Sequence, residues 1–525
     1  MSRLSLIFGA MLMGGAATAC AKAPEPVEPL AAPTDSARFP VRGFIIDGNS
    51  MVATERILAS LRPYLGESQP ADALLQAHET VCRLYEEAGY AMVSVELPST
   101  IGLDGIIRLR VREMAVGRVH ISGNEHYSNA YFRAALPALQ ENRSPNFAVL
   151  ARQLFLANDH SGHQVALNFA PGAEGTADVD IKVKDLDPVR VAVSADNTGT
   201  PATGRSRTTL IATHANLWGA GHEATAGLTT SPESPGSVHQ YTLSYQLPLP
   251  ALGDRLQFGY SYSNTNAGRV DNAFYVSGQG SIASLRLQHN LMRTADTRHL
   301  LEFGIEDKRY KNTVDYSGTN LGVDVNGRPV SVNYVFGARS GASSIRASVG
   351  HVRNIPGGAR NDDATYDRSR LGASASWSAW RANADVTVVA ASQWSLHSVL
   401  ETQYASAPLI SSEQFGLGGA YSVRGFEERE ALGDRGWRLS NEALAPAIAG
   451  QHRLLAFVDA GRPYRLNPQP GDTSVATMLS WGLGWRWTLK DSISTSLDWA
   501  RVVNGTLVTP AGSNAVHISA VWRFI

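Results

Sequence analysis

The feature that most constrains this chain is a period of two that begins at Pro188 and runs to the C-terminus. Val189, Val191, Val193 and Ala195 alternate with Arg190, Ala192, Ser194 and Asp196, and Tyr241, Leu243, Tyr245 and Leu247 alternate with polar neighbours. The pattern returns at Leu256, Phe258, Tyr260 and Tyr262, and over 282–287, 332–336, 481–487, 493–499 and 518–524. Successive side chains of a strand point to opposite faces, so each segment reads as a strand with one apolar and one polar face. About sixteen such segments lie between residues 188 and 525, roughly 21 residues for each strand and its connection, enough for membrane strands of ~10 residues. A soluble sandwich or propeller would also alternate, but the second face here is Ser, Thr, Gln, Arg or Asp, too polar for a sandwich core. Closure into a barrel is the β solution that leaves no unpaired edge in lipid. Residues 188–525 are therefore read as a membrane-spanning antiparallel β-barrel of about sixteen strands.

The preceding residues have a different texture. All ten tryptophans lie between Trp218 and Trp522, which puts a boundary near residue 188. Upstream, strand and helix periods take turns. A short strand and turn, Gly43 to Asn49, precedes helical spacing over 53–65 and 71–88. In the second of these Leu74, Leu75, His78, Val81, Cys82 and Tyr85 are placed on one face, with Gly89 as the stop. Strands over 92–97 and 106–112 follow, separated by Leu103-Asp104-Gly105. The same order begins again at Val116, where Gly123-Asn124 mirrors Gly48-Asn49; helices over 131–139 and 147–157 and strands over 164–169 and 177–184 complete it. A repeat of about 70 residues implies two small α+β modules, 38–113 and 114–187. A single α+β domain is the alternative, and it leaves the repeated Gly-Asn turn unexplained.

Residues 1–21 have one Arg, an apolar stretch Leu4 to Ala17 and then small residues, the layout of a secretory signal. A transmembrane anchor is the rival, but Gly9, Gly14 and Gly15 interrupt a stretch shorter than the ~20 residues a spanning helix needs. Cleavage after Ala21 and cleavage before Cys20, which would give a lipid-bearing N-terminus, both remain open. Residues 22–37 read as a Pro-rich linker.

Several function classes are set aside. Lys+Arg 46 against Asp+Glu 47 gives a net charge of -1, without the basic excess of a nucleic-acid binder. The two cysteines, Cys20 and Cys82, can make one bridge at most and no thiolate zinc site; disulfides are set aside, with Cys82 read as a small core residue. Gly219-Ala-Gly221-His-Glu-Ala224 imitates a dinucleotide-binding loop, but it joins two alternating strands and reads as a turn. His214 and His222 have no further ligand nearby in sequence. Ser440-Asn441-Glu442 and Glu427-Glu428 read as solvated or lumen hydrogen-bonding groups. No catalytic residue, metal or cofactor is expected.

The segment Phe415-Gly-Leu-Gly418-Gly419-Ala-Tyr-Ser-Val423-Arg424-Gly425-Phe426 resembles the long inward-folded loop of the two-partner secretion transporters, the ShlB/FhaC/HecB-like haemolysin secretion/activation family of POTRA-bearing outer-membrane barrels. The resemblance implies that this loop, about residues 405–436, reaches into the lumen. There Arg424 would pair with Asp459 of Phe457-Val-Asp459-Ala-Gly461 on the barrel wall. A guanidinium fork and a carboxylate form a strong bidentate pair, and a glycine at 425 permits a tight turn. Val41-Arg42-Gly43-Phe44 spells the same tetrapeptide but reads as the opening of the first module, so the tetrapeptide alone specifies little.

Further similarity lies in Asp196-Asn197-x-Gly199, in Thr203-Gly204 and in Asn216-Leu217-x-Gly219-x-Gly221, with His222 where an acidic residue is usual. Tyr85 to Pro98 resembles a first POTRA module. The last strand ends Trp522-Arg-Phe524-Ile525, so the usual terminal Phe is second to last. Many members carry a plug helix ahead of the first module; residues 22–37 have neither the length nor the spacing for one. The resemblance implies a transporter that recognises an unfolded secreted exoprotein in the periplasm through two POTRA domains and exports it through the barrel. Outer-membrane lipid and the barrel-assembly machinery are the other implied partners, and nucleic acid is not one. An outer-membrane assembly factor of the same superfamily is the alternative, and a passive porin a weaker one.

Overall fold

The computed structural model describes residues 38–98, 104–173, 175–200, 203–265, 269–270, 274–275, 279–294, 296–311, 315–316, 319–320, 322–469, 476–490 and 492–524. The signal, the linker, Cys20 and the question of a plug helix lie outside them. The chain divides into two compact units, the boundary in sequence falling between Leu186 and Asp187, with Pro250–Gly253 grouped with the first.

The first unit holds two modules of one topology. In the first, Gly43–Asp47 runs parallel to Ile106–Glu113, which pairs antiparallel with Val93–Glu96. In the second, Ala115–Ser122 runs parallel to Thr176–Asp185, which pairs antiparallel with His163–Pro171. Helices Thr54–Leu61 and Asp72–Glu87 cover the first sheet, and Asn129–Ala135 and Phe147–Asn158 the second. An extra pair of short strands, Arg38–Val41 with Gly66–Pro70, joins the first module and had no alternation to reveal it.

The repeat has a physical basis at its Gly-Asn turn. Gly48 and Gly123 take φ of +87° and +83°, and a Cβ on either would lie 2.3 Å from a carbonyl oxygen, of Val111 and Val183 respectively. The Asn49 amide donates to the Val52 carbonyl at 3.0 Å, and the Asn124 amide to the Tyr127 carbonyl at 2.7 Å. Each turn is then capped by a carboxylate ending the module's central strand. Glu113 accepts from the Ser50 and Met51 amides at 2.8 Å, and Asp185 from the Glu125 and His126 amides at 2.9 and 2.8 Å.

Helix Asp72–Glu87 buries Ala73, Ala77, Val81, Cys82, Leu84 and Tyr85, whereas Leu75 is 54% exposed. The face is thus rotated from the one expected, because the alanines that permit close packing against the sheet look neutral in a hydrophobicity pattern. Cys82 lies in this core but is disulfide-bonded, which corrects the setting aside of disulfides; its partner lies outside the described residues.

His163 is 2% exposed in the second core, stacked on Tyr127 at 4.8 Å, and neither ring nitrogen has a hydrogen-bond partner among the described residues. Burial, with His160 close by, pushes its pKa down from 6.5 to about 3. In the folded module His163 therefore stays unprotonated where the unfolded chain takes up a proton at this residue. Stability is full above the unfolded value and falls as pH drops from there towards the folded one, by about 2 kcal/mol at pH 5. Hydrogen exchange on residues 114–187 of the full chain should report this acid loosening, and His163→Phe should flatten it; an unchanged slope in that variant would contradict the assignment.

The second unit is a closed antiparallel barrel in which each strand pairs with the next and the last, Asn514–Phe524, pairs with the first, Val189–Asp196. It has sixteen strands; the eighth begins as Val325–Gly327 and resumes as Pro329–Ser340, both pairing with Thr297–Tyr310. Connections at the end where the chain enters are short, such as 341–342 and 445–451, and those at the other end run up to 406–434. Half-exposed Leu243, Phe258, Ile305, Val332, Trp380, Leu400, Leu483 and Trp522 mark the outer surface. The opposite parity carries ion pairs such as Arg286–Glu306 at 2.7 Å and Arg438–Glu401 at 2.6 Å. An apolar exterior around a charged interior is the arrangement of a membrane barrel with a wet lumen.

Candidate functional site

The connection 406–434 joins the eleventh strand, Ser395–Ala405, to the twelfth, Arg435–Leu444. It forms its own hairpin, Phe415–Leu417 with Ala431–Gly433, and its tip meets inward-facing residues of the last five strands. Gly418 and Gly419 open the tip at φ of +107° and +101°. Gly425 has φ +98°, and a Cβ there would lie 3.1 Å from Val502 Cγ2, so the chain turns tightly against the wall.

The four residues of the tip motif divide their labour. Val423 and Phe426, 0% and 3% exposed, enter an apolar cluster with Leu417, Ala431, Met478 and Val502. Arg424, between them, points to the wall and is 4% exposed. Its Nε donates to Asp459 Oδ2 at 2.7 Å and its Nη2 to Asp459 Oδ1 at 2.9 Å, the bidentate geometry. Phe457 lies under the guanidinium, 3.4 Å from Cζ to the ring centroid, a cation–π contact. Gly461 faces Leu417, whose side chain a Cβ would meet at 3.0 Å.

The strand register gathers further groups that the motifs did not reveal. Ser440 sits opposite Asp459, Glu442 opposite Phe457, and Asp498 opposite both Gly484 and His517. Arg424 Nη1 consequently also donates to Glu442 Oε1 at 2.6 Å and Asp498 Oδ2 at 3.3 Å, and Nη2 to Ser440 Oγ at 3.3 Å. Arg486 binds Asp498 from the other side at 2.5 and 3.0 Å. Arg424 and Arg486 thus face Asp459, Glu442 and Asp498 in one network. Ser440 and Glu442, read as lumen hydrogen-bonding groups, form part of it. Asp498 has no motif around it to single it out, and only the register says what it faces.

Two more ties hold the same loop. Glu413, 4% exposed, accepts from Lys308 Nζ at 2.9 Å, Tyr310 Oη at 3.0 Å and Arg381 Nη2 at 3.3 Å, fixing the loop's entry to the wall. Asp434 is fully buried at the loop's end, accepting from the Leu409 and Leu466 amides at 2.8 and 2.6 Å and from Arg370 Nη2 at 2.9 Å. Leu409 and Ile410 pack with Tyr366 and Trp377 of the preceding outer connection.

The family described as haemolysin secretion/activation protein ShlB/FhaC/HecB matches residues 175–487, more than half of the chain. The chain belongs to this family. It is 24% identical over 465 residues to the outer membrane transporter CdiB of Dickeya dadantii (strain 3937), covering 85% of this chain and 79% of that one. It is 23% identical over 432 residues to the hemolysin transporter protein ShlB of Serratia marcescens, covering 79% and 74%. Among solved structures, CdiB from Escherichia coli superposes with a TM-score of 0.76 at 18% identity, covering 95% of this chain and 93% of that one. BamA from Haemophilus ducreyi lacking POTRA domains 1-3 shares the fold more distantly, with a TM-score of 0.51 at 12% identity and coverage of 93% and 100%. This member of the ShlB/FhaC/HecB family is an outer-membrane β-barrel.

Within this family member the Asp196-Asn197-x-Gly199 segment lies where the barrel closes. The Asn197 amide donates to the Val516 carbonyl at 2.7 Å and accepts from the Ile518 amide at 2.9 Å, continuing the ladder past the end of the first strand. Gly199 lies against the Gly204 carbonyl, 2.1 Å from where a Cβ would be, and Arg207 donates to that same carbonyl at 2.8 Å. Gly219-Ala-Gly221 is the turn between strands Arg207–Leu217 and His222–Thr230.

Proposed function

We propose that this protein is the outer-membrane transporter of a two-partner secretion pair, exporting a dedicated, unfolded exoprotein of haemolysin or adhesin type through its barrel. The observation that carries the reading is the long loop tied to the wall by Arg424 and Asp459, in a family whose relatives include the outer membrane transporter CdiB and the hemolysin transporter protein ShlB. The modules at 38–113 and 114–187 are its two periplasmic POTRA domains, following a signal sequence at 1–21 and a linker at 22–37. Their edge strands, Val93–Glu96 and His163–Pro171, can accept an extended client strand by main-chain hydrogen bonds, which gives affinity with little demand on sequence. The protein is not an enzyme and uses no cofactor. Folding of the client outside the cell withdraws it from the transport equilibrium and gives direction. Outer-membrane lipid surrounds the barrel, and the barrel-assembly machinery inserts it.

The test is quantitative proteomics of culture medium and outer membrane with and without the gene. Loss of one large secreted protein from the medium, with the outer membrane unchanged, is the expected result and identifies the client. A broad fall in outer-membrane proteins would overturn the reading in favour of an assembly factor.

A further inference from the structure

The tip of the loop has a second anchor, on the strand that closes the barrel. The Gly425 amide donates to His517 Nε2 at 3.1 Å, and His517 belongs to the last strand, Asn514–Phe524. To accept this bond Nε2 must carry no proton, so the imidazole is neutral with its hydrogen on Nδ1. A protonated ring would present N–H to N–H, and the bond would be lost. We propose that His517 is a positioning residue that seats the tip of the 406–434 loop and makes that seating sensitive to pH.

The surroundings favour such a role. Gly425 is wedged against Val502, Ala500 and Ser480, so its amide has one direction in which to point, and His517 lies there. The charged groups facing the ring are Asp498 on the fifteenth strand, Arg424 in the loop and Asp459 on the thirteenth. Arg424 already engages Asp459 and Asp498, and Arg486 takes the second oxygen of Asp498. The neutral ring therefore adds an acceptor for the loop backbone without adding a charge to a network whose ions are paired. An imidazolium would have Asp498, directly opposite in the ladder, as a competing partner. Acidification thus draws the ring from the loop towards the wall. The last strand also closes the barrel against Val189–Asp196, so the tip finds its second anchor only when that strand is in register.

This rests on the reading of the protein as a transporter whose long loop is tied to the barrel wall, yet its test needs no client. The purified full-length protein is placed in planar bilayers and its open-channel fraction is followed from about pH 7.5 to about pH 4, because a bond made only by the neutral ring must be overcome before the ring takes up a proton. Arg424→Ala serves as the reference for an unseated loop, and heat-modifiable migration confirms that each variant is an assembled barrel. Wild type should open about fivefold more at the acid end, the size expected for losing one neutral hydrogen bond. His517→Gln keeps a carbonyl acceptor that cannot take up a proton; it should match wild type at neutral pH and lose the acid response. His517→Leu, with no acceptor, should be open by a similar factor at every pH. An acid response in His517→Gln equal to that of wild type would overturn the proposal, even if the Leu variant fails to assemble. Failure of the transport reading shows separately, as normal client secretion by Arg424→Ala.

Discussion

Arg424→Ala is expected to reduce client secretion at least ~10-fold while leaving an assembled barrel. Removing the guanidinium leaves Asp459, which is fully buried, without its bidentate partner, and Glu442 and Asp498 with Arg486 beside them. Taking one partner from a buried ion pair costs about 3–5 kcal/mol, and about 1.4 kcal/mol is already a factor of ten in an equilibrium. The barrel hydrogen bonds do not depend on Arg424, so the loss falls on the seated state of the loop rather than on the wall. Arg424→Lys should not restore function, because an ammonium cannot span Asp459 in bidentate fashion while also reaching Glu442 and lying over Phe457. The measurement is client in the medium by immunoblot, beside heat-modifiable migration of the barrel. Full secretion by an assembled Arg424→Ala protein would remove the loop from the mechanism.

The second large effect is on stability and lies in the other unit. Gly123→Ala should unfold the second module, by ~3 kcal/mol or more, because the new Cβ would lie 2.3 Å from the Val183 backbone oxygen at a φ of +83°. A side chain could move aside, but this oxygen belongs to the central strand of the sheet. Protease should then cut within 114–187 while the barrel fragment survives intact. Gly48→Ala should do the same to the first module, where the Val111 oxygen stands at the same distance, 2.3 Å. A variant as resistant as wild type would show that the turn is not what the two modules share.

Much of this architecture is written in local pattern. Alternation of Val, Tyr and Leu with polar residues specifies strands, because a strand's side chains change face at every residue. A polar second face excludes a dry sandwich, and a hydrocarbon surround demands closure. The repeated Gly-Asn turn exposes the tandem modules, since a positive φ beside a carbonyl can be held by little but glycine. The pairing of Arg424 with Asp459 was foreseen from a family likeness; composition and spacing did not supply it.

What surrounds that pair is fixed by how the strands assemble. Glu442, Asp498, Arg486 and His517 lie on different strands, and their meeting depends on register, which no single strand encodes. The same holds for Glu413, whose partners Lys308 and Arg381 come from the seventh and tenth strands. It also holds for helix Asp72–Glu87, where alanines rather than the larger Leu75 face the sheet. Local pattern is enough to specify a barrel and two modules ahead of it, and the family likeness singles out one loop. Which charges that loop meets was left to the closing of the ring, because a wall residue acquires its neighbours only when every strand before and after it is paired.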